Sequence, residues 1–141
     1  MKKIAIIAGL SAFFFSCTKT NSNQYSHWNV NGEAYSSNEV ALSETKGGSY
    51  LKEINGLFQL RFGLMQLPAH NMYVLKHPTN NPDYATLRFL HNNTTYTVAN
   101  DSVLLIFNQV NDKAQFTLPP TWFISAAAND SVLIEGIFNA P

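Results

Sequence analysis

One-by-one alternation of apolar and polar residues is the feature that most constrains how this chain can fold. Residues 58–62 read Phe-Gln-Leu-Arg-Phe, so apolar side chains recur at every second position. That period is typical of a β-strand with one face in a core and the other in water. Comparable short runs continue from Trp28 onward, separated by Asn, Asp, Gly and Pro. We therefore predict an all-β domain, either an antiparallel β-sandwich or a small up-and-down or lipocalin-like β-barrel.

Four local patterns make this prediction more specific. Asn31-Gly32 is typical of a type I′ turn and predicts a hairpin at the start of the domain. Residues 72–76 and 84–90 are predicted to be neighbouring antiparallel strands, joined by a polar segment that contains proline. Residues 103–107 are apolar at every position, which predicts a central strand covered on both faces. Pro119-Pro120 is expected to separate two strands.

The amino terminus has the order of parts that is typical of a secretory signal. Lys2 and Lys3 give a positive start, residues 4–15 form an apolar run, and the small residue Ser16 precedes Cys17. A helix that crosses a membrane needs about 20 apolar residues, so this run is too short for a permanent span. Residues 18–26 are polar and lack apolar periodicity, which is typical of a tether.

Residues 14–17, Phe-Phe-Ser-Cys, resemble a lipobox, the site at which lipoprotein signal peptidase cuts before a diacylated cysteine. Phe14 stands where Leu is usual, whereas Ser16 and Cys17 fit the pattern. The resemblance implies that acyl chains on Cys17 attach the protein to a membrane. Because no aspartate follows Cys17 directly, it implies the outer membrane of a Gram-negative bacterium. An ordinary signal peptide with a chance cysteine is the alternative.

The predicted organisation has three parts. Residues 1–16 are a lipoprotein signal peptide, residues 17–26 are the lipidated cysteine and a polar tether, and residues 27–141 are the all-β domain. Cys17 is the single cysteine, so the chain can form no internal disulfide and its domain has no thiol chemistry.

The distribution of charge argues against a polyanionic partner. Lys plus Arg and Asp plus Glu both number 9, and loss of Lys2 and Lys3 with a signal peptide would leave a slight acidic excess. Nucleic-acid binding depends on clustered cations, whereas the remaining cations are scattered singly along this sequence. We therefore expect no nucleic-acid partner.

The sequence has no motif for catalysis or for metal binding. Its 4 histidines lack metal-site spacing, and no second cysteine could complete a zinc site, so we expect neither a metal nor another cofactor. The carboxylates are dispersed beside turn residues, which is typical of solvated charges, and Glu135 alone stands inside an apolar strand. We predict that the protein is not an enzyme, and a hydrolase with dispersed carboxylates is an alternative.

Two short segments are candidate sites. Asp-Ser-Val at residues 101–103 and 130–132 resembles an acceptor for O-glycosylation of exported proteins in some Gram-negative bacteria, which implies modification of Ser102 and Ser131. Turn chemistry before two strands explains both copies as well, and we favour it. Trp122 and Phe123 could stack against sugar rings, but our preferred interpretation places Trp122 in the core together with Trp28.

Residues 28–138 resemble a group of small bacterial outer-membrane lipoproteins whose members have no established activity. The resemblance depends on Trp-x-Val-Asn-Gly at residues 28–32 and on Gly-x-Phe at residues 136–138. It implies a lipid-anchored β-sandwich and transfers no site. The leading prediction is a non-enzymatic envelope-structural or interaction module with an unknown protein or carbohydrate partner. The rival prediction is a module that binds carbohydrate or lipid.

Overall fold

A computed structural model describes residues 24–101 and 103–141 of the chain. Eleven β-strands and no helix occur among these residues, so the predicted all-β fold is confirmed. The strands are β1 (Ser26–Val30), β2 (Glu33–Ser37), β3 (Val40–Thr45), β4 (Gly48–Glu53), β5 (Phe58–Phe62), β6 (Met72–Leu75), β7 (Tyr84–His91), β8 (Thr94–Val98), β9 (Val103–Val110), β10 (Lys113–Ser125) and β11 (Asp130–Asn139).

All of these strands pair into one mixed sheet. The order of neighbours is β2-β1-β11-β10-β9-β6-β7-β5-β4-β3, and β8 lies off this path because it pairs with both β7 and β10. The pairing therefore returns on itself through β10, β9, β6, β7 and β8. β2 and β3 stand at the two ends of the path.

The alternation in β5 has the structural effect predicted from it. Phe58, Leu60 and Phe62 are fully buried, whereas Gln59 and Arg61 on the other face are partly exposed. β5 has β4 on one side and β7 on the other, so its buried face lies in the middle of a three-stranded surface. This strand is consequently a central part of the hydrophobic core.

Three hairpins turn on two residues with left-handed backbone. Asn31-Gly32 has φ values of 51° and 85°, as the predicted type I′ turn requires. Asn92-Asn93 joins β7 to β8 with φ values of 48° and 59°, and Asn111-Asp112 joins β9 to β10 with values of 51° and 63°. Asn and Asp tolerate this conformation better than other residues with a Cβ. The third hairpin was not expected, because residues 108–115 show little apolar alternation.

The prediction that β6 and β7 are antiparallel is wrong. These strands are parallel, with Tyr73 opposite Tyr84 and Leu75 opposite Thr86. β6 has four residues and rises about 13 Å. The connecting residues 76–83, if fully extended, could span about 25 Å, so the chain can return to the start of β6 before β7 begins. The amide N–H of Tyr73 then donates to the carbonyl oxygen of Asp83 at 2.9 Å.

The prediction that β9 is covered on both faces is also wrong. Leu105 is fully buried, but its neighbours Leu104 and Ile106 are 36% and 41% exposed. β9 lies between β6 and β10 within the sheet, so both of its edges are paired along part of its length. Despite its continuous apolar run, β9 therefore has one face in the core and one face in contact with water.

Aromatic rings hold distant parts of the sheet against each other. The ring of Phe58 on β5 lies 4.8 Å from that of Phe138 on β11. The ring of Phe62, also on β5, lies 5.0 Å from that of Phe116 on β10. β5 forms hydrogen-bonded ladders with β4 and β7 and not with β10 or β11. The sheet therefore folds over on itself and encloses a common aromatic core.

Candidate functional site

An irregularity in β10 determines which aromatic residue reaches the surface. β10 continues through Pro119-Pro120, so the prediction that these prolines separate two strands is wrong. Before them Leu118 pairs with Gly136, and after them Thr121 pairs with Ile134. One extra residue is thus accommodated in β10, which is a β-bulge. Because proline cannot donate to a ladder, a bulge is a place at which a strand accepts it.

The bulge exchanges the faces of the residues that follow it. Phe116 and Leu118 point into the core, and an unbroken period of two would place Trp122 there as well. With the extra residue, Phe123 is fully buried and Trp122 is 54% exposed. Trp28 is buried as predicted, but the preferred interpretation of Trp122 as a core residue is wrong. The prediction that Phe123 could stack against a sugar ring is also wrong, because its side chain is fully buried.

Polar side chains surround the outer face of β10 beyond the bulge. Trp122 stands opposite the partly exposed Leu133, and Ile124, two residues further along, borders a depression between the β7–β8 and β10–β11 turns. The other residues that line this depression are small or carry hydroxyl or amide groups: Asn93, Thr94, Thr95, Thr97, Ser125, Ala126, Ala127 and Ala128. We call Trp122, Leu133 and this depression the Trp122 face. An exposed indole beside hydroxyl and amide groups has the composition of a sugar-binding surface.

The predicted modification sites fall in different places. Ser131 is exposed at the start of β11, opposite Ile124, so its hydroxyl is accessible. Ser102 and Cys17 lie outside the described residues. O-glycosylation of Ser102 and Ser131 stays a prediction, as does lipidation of Cys17.

Asp130, next to Ser131, is held by a buried phenol. The Tyr96 hydroxyl donates to Oδ2 of Asp130 at 3.0 Å. Burial, followed by the hydrogen bond to Asp130 and the charge of Asp130, raises the pKa of Tyr96 above its ordinary value of 10.0. Burial, followed by a hydrogen bond to Glu33 and its charge, likewise raises the pKa of Tyr35. Both phenols therefore stay protonated at neutral pH.

Glu53 was predicted to be a solvated charge, and this prediction is wrong because the residue is only 1% exposed. Its Oε1 accepts hydrogen bonds from Ser37 Oγ at 3.2 Å and from Asn55 Nδ2 at 3.1 Å. Its Oε2 accepts one from the amide N–H of Leu57 at 3.1 Å. Asn55 Nδ2 also lies 3.4 Å from Oε2 of Glu39, so two carboxylates converge on one amide. Both oxygens of Glu53 are occupied by these structural hydrogen bonds, whereas Glu39 is exposed to water.

The remaining polar candidates do not form a cluster. Glu135 is partly exposed on the outer face of β11 and accepts a hydrogen bond from Asn29 Nδ2 at 3.1 Å. His70 Nε2 lies 4.0 Å from Asp83 Oδ1. Within residues 24–101 and 103–141, no three His, Cys, Asp or Glu side chains are grouped so that they could hold a metal ion. The same part of the chain contains no helix of the length and apolar character needed to span a membrane.

Comparison with known proteins suggests no function, so a functional interpretation depends on the geometry of the candidate sites. No protein-family model, curated protein or solved structure matches this chain.

Proposed function

We propose that the chain is an exported lipoprotein whose acyl chains on Cys17 hold a non-enzymatic interaction domain at the outer membrane of a Gram-negative bacterium. The lipobox-like residues 14–17 at the end of an apolar run support the anchor. Each buried methylene contributes about 0.8 kcal/mol, so several acyl chains on one residue give durable attachment.

The observation that carries the interaction role is the place where the chain enters the domain. Gln24 Nε2 donates to the carbonyl oxygen of Val110 at 3.5 Å, so the chain enters beside the β9–β10 turn. Trp122 lies much further along β10, about 30 Å from its first residue at the usual rise of a strand. The segment from Cys17 to Gln24 can span at most about 25 Å. A tether of this length would hold the β9–β10 turn near the membrane and leave the Trp122 face directed away from it.

The anchor is tested by replacing Cys17 with Ser and following incorporation of an alkyne-labelled fatty acid in a bacterial host. We expect the label to disappear and the protein to leave the membrane fraction or to accumulate as the uncleaved precursor. The matched control is Ser22→Ala, a change in the tether outside the lipobox, which should leave labelling unchanged. Two results together would refute the proposal. The wild type would take up no label, and the Cys17→Ser variant would be processed and remain in the membrane fraction.

A second candidate function is carbohydrate binding, favoured by the exposure of Trp122 beside a depression rich in hydroxyl groups. Stacking of a sugar ring on the indole would exploit an aromatic face that makes no contribution to the core. The polar groups of Thr95 and Thr97 on β8 would then be within the same surface as hydrogen-bonding partners for sugar hydroxyls.

This candidate is tested with Trp122→Ala in affinity electrophoresis through gels that contain soluble polysaccharides. We expect roughly tenfold weaker retardation than for the wild type, the order of magnitude of one lost stacking interaction. Tyr25→Ala removes another aromatic side chain that is about as exposed, next to the chain entry, and should bind as the wild type does. Equal retardation of the two variants, or no retardation of the wild type by any polysaccharide, would exclude Trp122 as a sugar platform.

We also propose that the sheet folds into the two facing layers of a β-sandwich. The contacts of β5 rings with rings on β10 and β11 support two facing layers. A barrel closed through all of the strands would require β2 to pair with β3, and these two strands are the ends of the pairing path.

A further inference from the structure

A fork in the sheet creates a cleft that is separate from the Trp122 face. On one edge of β7, residues 84–86 pair with β6 and residues 88–91 pair with β8. The two neighbours diverge at Leu87, which borders the cleft between them. Thr86, Arg88 and Thr97 line this cleft from the outer face of the sheet, because they alternate with buried residues in their strands. We call it the fork cleft.

Positive charge is concentrated in the fork cleft. Arg61 from β5, Arg88 from β7 and Lys76 from the end of β6 line it, and no acidic residue does. These cations look scattered in the sequence, and the folded sheet brings them together from three strands. In residues 24–101 and 103–141, the one carboxylate–cation contact within 4.0 Å is between His70 and Asp83. The three cations of the fork cleft therefore have no carboxylate partner within that distance.

Local hydrogen bonds hold the two arginine side chains in place. Arg88 Nη2 donates to the side-chain oxygen of Gln59, its neighbour on β5. Arg61 Nη2 donates to the carbonyl oxygen of Gly47 at 3.0 Å, and the Arg61 guanidinium lies 5.8 Å from the centre of the Tyr50 ring. Arg61 Nε is buried and has no hydrogen-bond partner. Both guanidinium groups are thus ordered, and the Nε of Arg61 is buried and does not face a ligand in the cleft.

The third cation is positioned through the main chain. Asp101 Oδ1 accepts a hydrogen bond from the amide N–H of Lys76 at 2.5 Å, while the Lys76 ammonium remains outside ion-pair distance of any described carboxylate. This hydrogen bond to Asp101 fixes the backbone at the end of β6. The charge of Lys76 stays available to the cleft.

Uncompensated cations on neighbouring strands repel each other, so an anion between them would stabilise this arrangement. Guanidinium groups present paired N–H donors that match the two oxygens of a carboxylate or phosphate. Hydroxyl groups of Thr86 and Thr97 on the cleft wall can supply further hydrogen bonds. The chemistry of the walls therefore matches an oxyanion that belongs to a polar ligand.

We propose that the fork cleft binds the carboxylate or phosphate group of a small polar ligand, with Arg88 and Lys76 as its charged donors and Arg61 as a supporting charge. This binding site is independent of the lipid anchor and of sugar stacking on Trp122.

The test is an NMR titration of the isotopically labelled full-length mature protein in nonionic detergent at low ionic strength, with inorganic phosphate and with glucuronate as separate probes. We expect saturable shifts of the amide signals of Thr86, Arg88 and Thr97. Saturation by phosphate or by glucuronate identifies which oxyanion the cleft prefers. Arg88→Gln and Lys76→Gln should each weaken binding at least tenfold, and Lys113→Gln, a cation on β10 that does not line the cleft, should leave binding unchanged.

Two results would overturn the proposal. One is the absence of saturable shifts with both probes. The other is equal binding by the wild type, Arg88→Gln and Lys76→Gln, with the remaining amide signals showing that both variants are folded. Vesicles that contain phosphatidylglycerol form a third arm. Binding to these vesicles without any response to phosphate or glucuronate would assign the cations to a membrane surface and would exclude a small-ligand site.

Discussion

Glu53 joins three parts of the chain through one carboxylate. Its oxygens accept hydrogen bonds from Ser37 at the end of β2, from Asn55 in the β4–β5 loop and from the amide of Leu57 before β5. A buried charge without such donors would be strongly destabilising, so the donors and the carboxylate are mutually dependent. Burial of Glu53 was not predictable from the sequence, because the neighbouring Asn55-Gly56 is typical of an exposed turn.

Replacement of Glu53 by Ala should destabilise the protein by about 2–4 kcal/mol, because two donors and a main-chain amide lose their acceptor inside the fold. Urea unfolding followed by tryptophan fluorescence measures the change. Glu44→Ala on β3 removes an exposed carboxylate and should alter the free energy of unfolding by less than about 0.5 kcal/mol. Equal unfolding midpoints for the two variants would mean that Glu53 is solvated.

The β1–β2 hairpin shows how one turn specifies the register of a whole element. Asn31 and Gly32 both have positive φ, and the amide of Asn31 donates to the carbonyl oxygen of Leu133 on β11 at 2.8 Å. The side-chain oxygen of Asn31 accepts from the amide of Leu133 at 2.8 Å. The turn is thereby fixed to the neighbouring strand as well as to its own hairpin.

Gly32→Val should cost about 1–3 kcal/mol, because valine strongly disfavours a φ of 85°. A Cβ at this position meets no atom within 4 Å, so the loss would come from backbone strain and not from a clash. Gly47→Val is the matched control, since Gly47 is a turn glycine without positive φ, and a Cβ there would make only an ordinary contact, 3.8 Å from Thr45 Oγ1. We expect the urea midpoint to fall for Gly32→Val only, and an equal fall for both would contradict the strain argument.

Strands and tight turns were predictable from the sequence because their causes are local. The alternation in β5 and the Asn31-Gly32 turn each depend on a few adjacent residues, and both predictions are confirmed. The bulge at Pro119-Pro120 was not predicted. Its extra residue reverses which positions of β10 face the core, so Trp122 was assigned to the wrong face. Alternation along a strand assigns side chains to the two faces of the sheet only where no bulge adds a residue.

The candidate sites depend on pairings that sequence alone does not specify. β6 inserts between β7 and β9 in parallel with β7, and this insertion produces the fork that collects Arg61, Lys76 and Arg88. These residues are far apart in the chain, and no motif connects them. The available signal is one arginine on the outer face of each of β5 and β7, Arg61 and Arg88, both paired across the strands with uncharged residues.

At the scale of the whole molecule, β10 connects the two routes by which the sheet returns on itself. Its first half pairs with β9 and its second half with β8, while β11 accompanies it on the other edge. Because most of the strands lie inside this network, they have a paired neighbour on each edge along at least part of their length. Among the described strands, β2 and β3 are the two ends of the path, so each has a paired neighbour on one edge only.

Those two unpaired edges have a consequence for the proposed lipid anchor, because anchored copies of one chain would meet repeatedly in two dimensions. An exposed strand edge is a template on which another copy can add a strand, and long, flat, apolar edges are the most hazardous. β2 and β3 have only five and six residues, and most of their side chains are exposed, including Glu33 and Glu44. Short edges with like charges would repel an identical neighbour. We therefore expect this domain to tolerate lateral crowding without polymerising into fibres.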